Sequence, residues 1–274
     1  MKNQWSDKDA AIAIRSLRRA GVQKHVAECV YASRLLGERR DLVLHGGGNT
    51  SVKTQFKDNQ GHKVGALHVK ASGHDLIDIG FAGFVALDLE QLRCLEKLKT
   101  LDDRAMLASL ARSKLDPFQP TPSVETLLHA FLPAKYIFHT HANAVLALTN
   151  QPDDKTFTEI VCGNGVIVLP YAMSGFALAK KALEAIQCLP DAQAIVVMKH
   201  GIFTFGDTAK EAYGRMLNLV SLAEKRLRQG RKNVFPTLRA RPGVNLTEIA
   251  QNCVKCHRNC TKCVNCHRNF PKLR

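Results

Sequence analysis

The sequence has no run of about 20 consecutive apolar residues, the length needed to cross a bilayer. Residues 1–19 are polar and then amphipathic, and they lack the apolar stretch and the small-residue cleavage site of a secretory signal. The turns of small residues at 46–51 and 70–73 fit neither the P-loop nor the dinucleotide-binding fingerprint. We therefore expect a cytoplasmic protein without a membrane span, and these turns predict no nucleotide site.

Acidic residues are scarce in the C-terminal part of the chain. Residues 225–274 contain 13 of the 39 Lys and Arg but one of the 24 Asp and Glu, so they carry +12 of the net charge of +15. Five of the nine cysteines lie there as well, within positions 253–266. Helical and strand periodicity ends near residue 230. The sequence thus predicts one compact domain, residues 1–230, followed by a basic tail rich in Cys and His, residues 231–274.

The tail contains an imperfect ten-residue repeat in which Cys-x-x-Cys-His occurs at 253–257 and again at 263–267. This spacing is the attachment pattern of c-type haem, but covalent haem belongs to exported proteins and no export signal is present. Paired cysteines with nearby histidines also provide enough soft ligands for zinc, and the basic surroundings add weak affinity for nucleic acid. A degenerate, disordered C-terminus without metal is the third interpretation, and the one that we favour.

Hydrophobic periodicity within residues 1–230 alternates between the helical and the strand repeat, which predicts a layered α/β domain. Gly21 and Gly230 end the first and the last predicted helix. The predicted helices are 7–20, 22–36, 87–114, 123–131, 142–148, 176–187 and 207–229, and the predicted strands are 42–45, 50–53, 66–70, 136–140, 166–169, 194–198 and 201–205.

Three histidines lie at the ends of predicted strands. His139 and His141 end the apolar stretch that begins at Tyr136, and alternate residues of a strand point to the same face. His200 follows the predicted strand 194–198. Taken alone, His139 and His141 could simply be two polar residues at the end of a strand. Three imidazoles with an open fourth position, however, are the ligand set of a catalytic zinc site, so the pattern predicts such a site.

Glu125 is the candidate acid–base residue. It falls in the first turn of the helix predicted after Pro122, where the helix dipole favours an ionised carboxylate. A carboxylate beside a zinc site can act as a base, whereas a solvated glutamate at a helix start is the structural alternative. His129 lies one helical turn further along and faces the same way. We interpret it as a supporting or structural residue.

Two turns of small residues present backbone N–H groups that can cradle a phosphate. Residues 46–51 read Gly-Gly-Gly-Asn-Thr-Ser, and residues 70–73 read Lys-Ala-Ser-Gly. Each turn by itself is also explained as an ordinary tight turn.

Five motifs in one order resemble the class II aldolase and adducin family. They are Gly-Asn-Thr-Ser at 48–51, Lys-Ala-Ser-Gly at 70–73, Pro-Ser-Val-Glu at 122–125, His-Thr-His at 139–141 and Lys-His-Gly at 199–201. Longer matches at 44–53, 139–149 and 199–207 resemble the aldolase half of bifunctional proteins of the rhamnulose-phosphate aldolase/alcohol dehydrogenase type. The resemblance covers about residues 1–230.

The resemblance implies a three-layer α/β/α fold with a largely antiparallel central sheet, usually assembled as a homotetramer with active sites between subunits. It implies a zinc-dependent lyase that cleaves or forms a carbon–carbon bond of a short sugar phosphate through a metal-stabilised enediolate. The implied zinc ligands are His139, His141 and His200, the implied general base is Glu125, and the residues implied to bind the substrate phosphate are Asn49, Ser72, Gly73 and Ser123.

Alternatives to an aldolase stay open at this point. A sugar-phosphate epimerase of the same fold uses similar chemistry, and adducin-like relatives are non-catalytic scaffolds, although the three histidines and Glu125 argue against a scaffold. No strand followed by a glycine-rich nucleotide turn comes after residue 230, so we expect no dehydrogenase activity from this chain alone. The expected partners are a sugar phosphate and further copies of the chain.

Overall fold

A computed structural model describes residues 1–57, 61–151, 163 and 165–230. The predicted tail, with its zinc, haem and nucleic-acid interpretations, lies outside the described residues. Within the described ranges the helices are α1 (Asp7–Arg19), α2 (Lys24–Gly37), α3 (Leu89–Cys94), α4 (Asp103–Arg112), α5 (Thr126–Phe131), α6 (Asn143–Thr149), α7 (Phe176–Cys188) and α8 (Ala209–Gly230). The strands are β1 (Asn49–Lys57), β2 (Lys63–Lys70), β3 (Phe84–Asp88), β4 (Tyr136–Thr140), β5 (Val166–Leu169), β6 (Ala194–Val197) and β7 (Gly201–Gly206).

The strands form one seven-stranded sheet in the order β3-β2-β1-β4-β7-β6-β5. Every neighbouring pair is antiparallel except β5 and β6, which are parallel. The expected largely antiparallel sheet is therefore confirmed. Strand β4 lies in the middle, between β1 and β7, so its end is surrounded by protein on both sides.

Alternate side chains of the sheet enter two separate hydrophobic cores. On β4, Phe138 belongs to a core that also contains residues of α2, α6 and α8, whereas Ile137 belongs to a core built with α3, α4, α5 and α7. Both residues are fully buried. Because a strand points successive side chains to opposite faces, this division places helices on both faces of the sheet and confirms the expected three layers.

Two predicted elements differ from the observed ones. Residues 42–45 do not form a strand but lead into a turn, since His45, Gly46 and Gly48 have positive φ angles that break an extended backbone. The predicted helix 87–114 begins instead with the end of β3 and then divides into α3 and α4. The side chains of Asp88 and Asp102 accept backbone N–H groups and start these two helices separately.

None of the helices in the described part of the chain combines the length and the hydropathy that crossing a bilayer requires.

Candidate active site

Strand pairing brings the three predicted histidines together. His139 lies in β4 and His141 follows that strand, while His200 lies in the turn between β6 and β7. Because β4 and β7 are antiparallel, with Thr140 opposite Ile202, the turn that holds His200 lies beside the end of β4. One ring nitrogen from each imidazole falls within 4.8 Å of the others. This cluster is the candidate metal centre.

A glycine makes the close approach of these rings possible. A Cβ atom at Gly201 would lie 2.5 Å from the Thr140 carbonyl oxygen and 2.9 Å from Cε1 of His139. Both distances are far below normal van der Waals contact, so any other residue would push β7 away from β4. Lys199 adopts a φ of 59°, a left-handed conformation, and thereby lets the turn after β6 close around His200.

The most buried histidine presents an unpaired nitrogen to the cluster. His139 is fully buried and stacks on Phe203 with 3.9 Å between ring centroids. Its Nδ1 lies 3.1 Å from the carbonyl oxygen of Ile202, so Nδ1 carries the proton and donates. Among the described residues, its Nε2 has no hydrogen-bond partner, and Glu125 Oε2 lies 3.4 Å from it. A lone pair buried without a donor fits a bound cation.

The cluster also favours neutral imidazoles. Burial lowers the pKa of His139 well below its ordinary value, and the neighbouring His141 and His200 lower it further. Burial and His200 likewise lower the pKa of His141, with Glu125 acting in the opposite direction. Neutral imidazole is the form that binds metal ions, so the donor set and its protonation both fit a zinc ion.

Glu125 reaches the histidine cluster from another layer. It lies immediately before α5, at the N-cap position rather than in the first turn that the sequence predicts, and it is 5% exposed. Its Oε1 is 3.2 Å from His200 Nε2 and accepts a hydrogen bond of 3.1 Å from the hydroxyl of Ser174. Its Oε2 accepts a hydrogen bond of 2.6 Å from the Asn49 amide. Both carboxylate oxygens are therefore held in place.

A buried chain of hydrogen bonds supports Asn49. The β1–β4 register places Asn49 opposite His139, its Oδ1 contacts Nε2 of His129, and Nδ1 of His129 lies 2.7 Å from the Ser51 hydroxyl. Burial lowers the pKa of His129 to about 3, so the ring is neutral and has a single N–H. Because the Asn49 oxygen can only accept, that proton is on Nε2 and Ser51 donates to Nδ1. The chain then turns the Asn49 NH₂ group towards Glu125.

The predicted phosphate-binding residues fall into two groups. Asn49 Nδ2 donates to the Ser123 hydroxyl at 3.2 Å, so these two residues belong to the network around Glu125. Ser72 and Gly73 instead form an exposed turn after β2. Backbone pairing links this turn to the segment before Ser123, since the Ser72 N–H donates to the Thr121 carbonyl at 2.8 Å.

The turns at 46–51 and 70–73 meet, and the buried Lys70 connects them. A Cβ atom at Gly46 would be 3.8 Å from Gly73, and Lys70 Nζ donates to the Gly46 carbonyl at 3.0 Å. Burial lowers the pKa of Lys70, while Asp75 and Glu125 act in the opposite direction. Lys70 is not among the residues predicted to bind the substrate, although it begins the Lys-Ala-Ser-Gly motif at 70–73.

Ser174 was missed as well. The sequence feature that could have identified it is the Ser-Gly dipeptide before a predicted helix, which also occurs at Ser72 and Gly73. Gly175 has a φ of 126°, a conformation that only glycine adopts readily.

Known proteins are similar to most of the described chain. The family described as "Class II Aldolase and Adducin N-terminal domain" matches residues 27–227. A curated relative from Bacillus subtilis (strain 168), the uncharacterized oxidoreductase YuxG, is 37% identical over 210 residues, which are 77% of this chain and 30% of that protein. The chain thus spans less than a third of this relative's length, and the predicted closeness to bifunctional aldolase–dehydrogenase proteins stays a prediction.

Solved structures show the same fold. The N-terminal class II aldolase domain of a conserved protein from Thermoplasma acidophilum is 42% identical, with a TM-score of 0.73 over 83% of this chain and 100% of that one. A sugar-phosphate aldolase from Thermotoga maritima is 19% identical, with a TM-score of 0.57 over 76% of this chain and 97% of that one, and shows the fold alone. Because the family model covers residues 27–227, the chain belongs to the class II aldolase and adducin family.

Proposed function

We propose that the protein is a zinc-dependent class II aldolase, a lyase that acts on a short sugar phosphate. The observation that carries the proposal is the convergence of three imidazoles and one fully hydrogen-bonded carboxylate, with the buried Nε2 of His139 left free of any donor among the described residues. The family, whose description includes class II aldolases, supports the lyase chemistry, and the short sugar phosphate is the substrate that the resemblance implies.

His139, His141 and His200 would hold the zinc ion. When bound, zinc is a Lewis acid that stabilises the negative charge of an enediolate, the costly species of aldol cleavage and of its reverse. Burial lowers the pKa values of His139 and His141, which favours the neutral imidazoles that can bind the ion. The three ring nitrogens lie within 4.8 Å of one another, so together they could hold one metal ion.

Glu125 would move the proton. In cleavage, the hydroxyl on the departing half loses its proton as the carbon–carbon bond breaks, and that half becomes an aldehyde. The electrons of the broken bond remain on the other half, which becomes an enediolate. Glu125 accepts the proton and returns it to the enediolate carbon. The hydrogen bonds from Asn49 and Ser174 hold both carboxylate oxygens in one orientation, so little reorganisation is needed during the transfer.

The substrate phosphate would bind where the two glycine-rich turns meet. Ser72 and Gly73 are exposed there, and the Lys70 ammonium, which donates to the Gly46 carbonyl, provides positive charge. Asn49 and Ser123, the other two residues that the resemblance implies, are hydrogen-bonded to each other beside Glu125. Positive charge and backbone N–H groups at a turn are the usual elements of a phosphate site.

We further propose that the protein assembles as a homotetramer with the sites between subunits. Large apolar side chains near the site are exposed: Val124 precedes Glu125 and is 46% exposed, and Met173 precedes Ser174 and is 71% exposed. Apolar side chains grouped around a polar site are typical of a surface that another subunit covers. Analytical ultracentrifugation measures the assembly directly.

The experiment that tests the proposed reaction is a cleavage screen. The zinc-loaded full chain is incubated with short deoxysugar phosphates and with ribulose phosphates, and the products are identified by mass spectrometry and NMR. Release of an aldehyde together with a phosphorylated ketone supports the aldolase, whereas an isomer of unchanged mass identifies the epimerase. No conversion of any member of the panel favours the scaffold.

A variant links the reaction to Glu125. We expect Glu125→Gln to keep zinc and fold and to lower cleavage by about 10²-fold or more, since a general base typically contributes 10²–10⁴-fold. Glu184→Gln, at an exposed position of α7, is the matched control and should cleave like the parent. Equal turnover of the two variants would remove Glu125 from the mechanism.

A further inference from the structure

A cavity lies at the other end of the central strand. It has a volume of about 740 Å³ and is bounded by α1, the start of α2, the start of β4 and the start of α8. None of the candidate active-site residues lines it. Tyr136, at its base, precedes His139 by three residues of β4, so along the strand the two are separated by roughly 10 Å. The volume is within the range of small-molecule sites.

Three arginines form one side of this cavity. Arg15, Arg18 and Arg19 are three and four positions apart on α1, so their side chains lie on one face of the helix. All three are exposed, and in the described part of the chain none forms an ion pair with an acidic residue. Arg18 and Arg19 also stabilise the C-terminal turn of the helix through its dipole, but Arg15 lies outside that turn.

The other cations of the cavity already have partners. Lys210 contacts both oxygens of Asp7 at 2.8 Å, and Lys24 lies 3.7 Å from Glu28. The three arginines are therefore the positive groups that remain for a ligand, and a compact anion with several oxygens, such as a phosphate, is the group that arginines bind best.

Hydrogen-bonded polar side chains form the base of the cavity. The buried Tyr136 hydroxyl donates to Glu28 at 2.5 Å, Nδ1 of His25 lies 3.0 Å from the same carboxylate oxygen, and Lys135 Nζ lies 2.9 Å from Nε2 of His25. A carboxylate held in this way is an acceptor for ligand hydroxyl groups. Trp5 and Ile14, both half-buried, add an apolar wall against which a ring can pack.

We propose that this cavity binds a phosphorylated small molecule, with the phosphate held by Arg15, Arg18 and Arg19 and the hydroxyl-bearing ring packed between Trp5 and the Glu28 carboxylate. The site is separate from the proposed reaction centre and does not depend on zinc. A nucleotide and a sugar phosphate share this chemistry, so the test includes one of each.

Trp5 is the only tryptophan of the chain and lines the cavity, so its fluorescence reports occupancy. The full chain is titrated in EDTA with pyrophosphate, ADP and ribose 5-phosphate. We expect a saturable change with at least one of them, and the same change in the His141→Ala background. Arg15→Gln and Arg18→Gln should each weaken binding by about 10-fold or more, as expected for a lost charge-assisted hydrogen bond. Arg15→Lys should retain part of the affinity.

Arg104→Gln is the matched control, because Arg104 is exposed on α4 and does not line the cavity. Circular dichroism verifies that each variant is folded. The proposal is overturned if no probe gives a saturable change up to about 10 mM, well above weak-binding dissociation constants. It is equally overturned if the arginine variants bind like Arg104→Gln, or if they change subunit assembly and leave the probe affinity intact.

Discussion

Replacing His141 by alanine should remove most of the stabilisation of this protein by zinc. The three imidazole nitrogens lie within 4.8 Å of one another, and removal of His141 leaves His139 and His200, one buried and one partly exposed. Changing a residue that merely supports a metal ligand already costs 10–100-fold in metal affinity, so loss of a ligand should cost about 100-fold or more.

The size of the effect follows from mass action. At a free zinc concentration of about 100 times the dissociation constant, the parent gains about 2.7 kcal/mol of stability. For a domain of this size the gain corresponds to a rise in Tm of roughly 5–11 °C. At the same zinc concentration the variant, with an affinity about 100-fold lower, should gain about 0.4 kcal/mol, or roughly 1–2 °C.

Thermal melts of the full chain with and without zinc measure this difference, and metal analysis after dialysis should show one zinc fewer in the variant. Any zinc bound by the cysteines of the tail contributes equally to both proteins. His74→Ala is the control, because His74 is exposed and is not part of the histidine cluster. If His141→Ala retains the zinc content and the zinc-dependent Tm shift of the control, the ligand assignment is wrong.

Three further predictions concern the buried network, a buried histidine and the tail. Ser51→Ala leaves Nδ1 of His129 without its donor, so we expect a loss of about 1–3 kcal/mol in the free energy of unfolding and slower cleavage. Ser33→Ala is the control, because it removes an equally buried hydroxyl that is bonded to Cys29 and Thr50. It should lower the stability and leave cleavage unchanged. Urea melts and cleavage assays separate the two, and parental turnover in Ser51→Ala would contradict the proposed role of the network. His68 is buried without a partner for Nε2 among the described residues, and burial lowers its pKa to about 4, so the unfolded chain binds its proton first and stability falls as the pH drops below 6.5. Between pH 7 and pH 5 this contributes a loss of about 2 kcal/mol that His68→Phe should lack, and equal pH dependence of the two proteins in urea melts would refute the assignment. Truncation after Gly230 removes most of the excess positive charge and the five clustered cysteines but no proposed active-site residue, so cleavage rates should stay unchanged. A truncated chain that folds and binds zinc but no longer cleaves would show that the tail contributes to the site.

Local patterns predicted most elements but not their exact limits. The strand at 136–140 and the long C-terminal helix agree with β4 and α8, because their periodicity spans the whole element. The strand expected at 42–45 failed, since apolar character alone does not reveal a backbone that turns at His45. Glu125 was placed in a helical turn that begins one residue later, a shift that depends on the capping geometry.

The sequence by itself determined the features that depend on one strand or one turn. The His-x-His alternation puts His139 and His141 on one face of any extended strand. Gly201 has no side chain, so a neighbouring strand can approach its backbone closely. Only the tertiary structure decided which residues meet. Asn49 and Glu125 are 76 positions apart, and the contact of Ser174 with Glu125 joins residues 49 positions apart. The cavity beside α1 likewise depends on the packing of four elements, from α1 to α8. The alternation of side chains along a strand is a property of that strand's own backbone. Contacts between distant residues form because both faces of the sheet must be buried at once, and this depends on the packing of the whole domain.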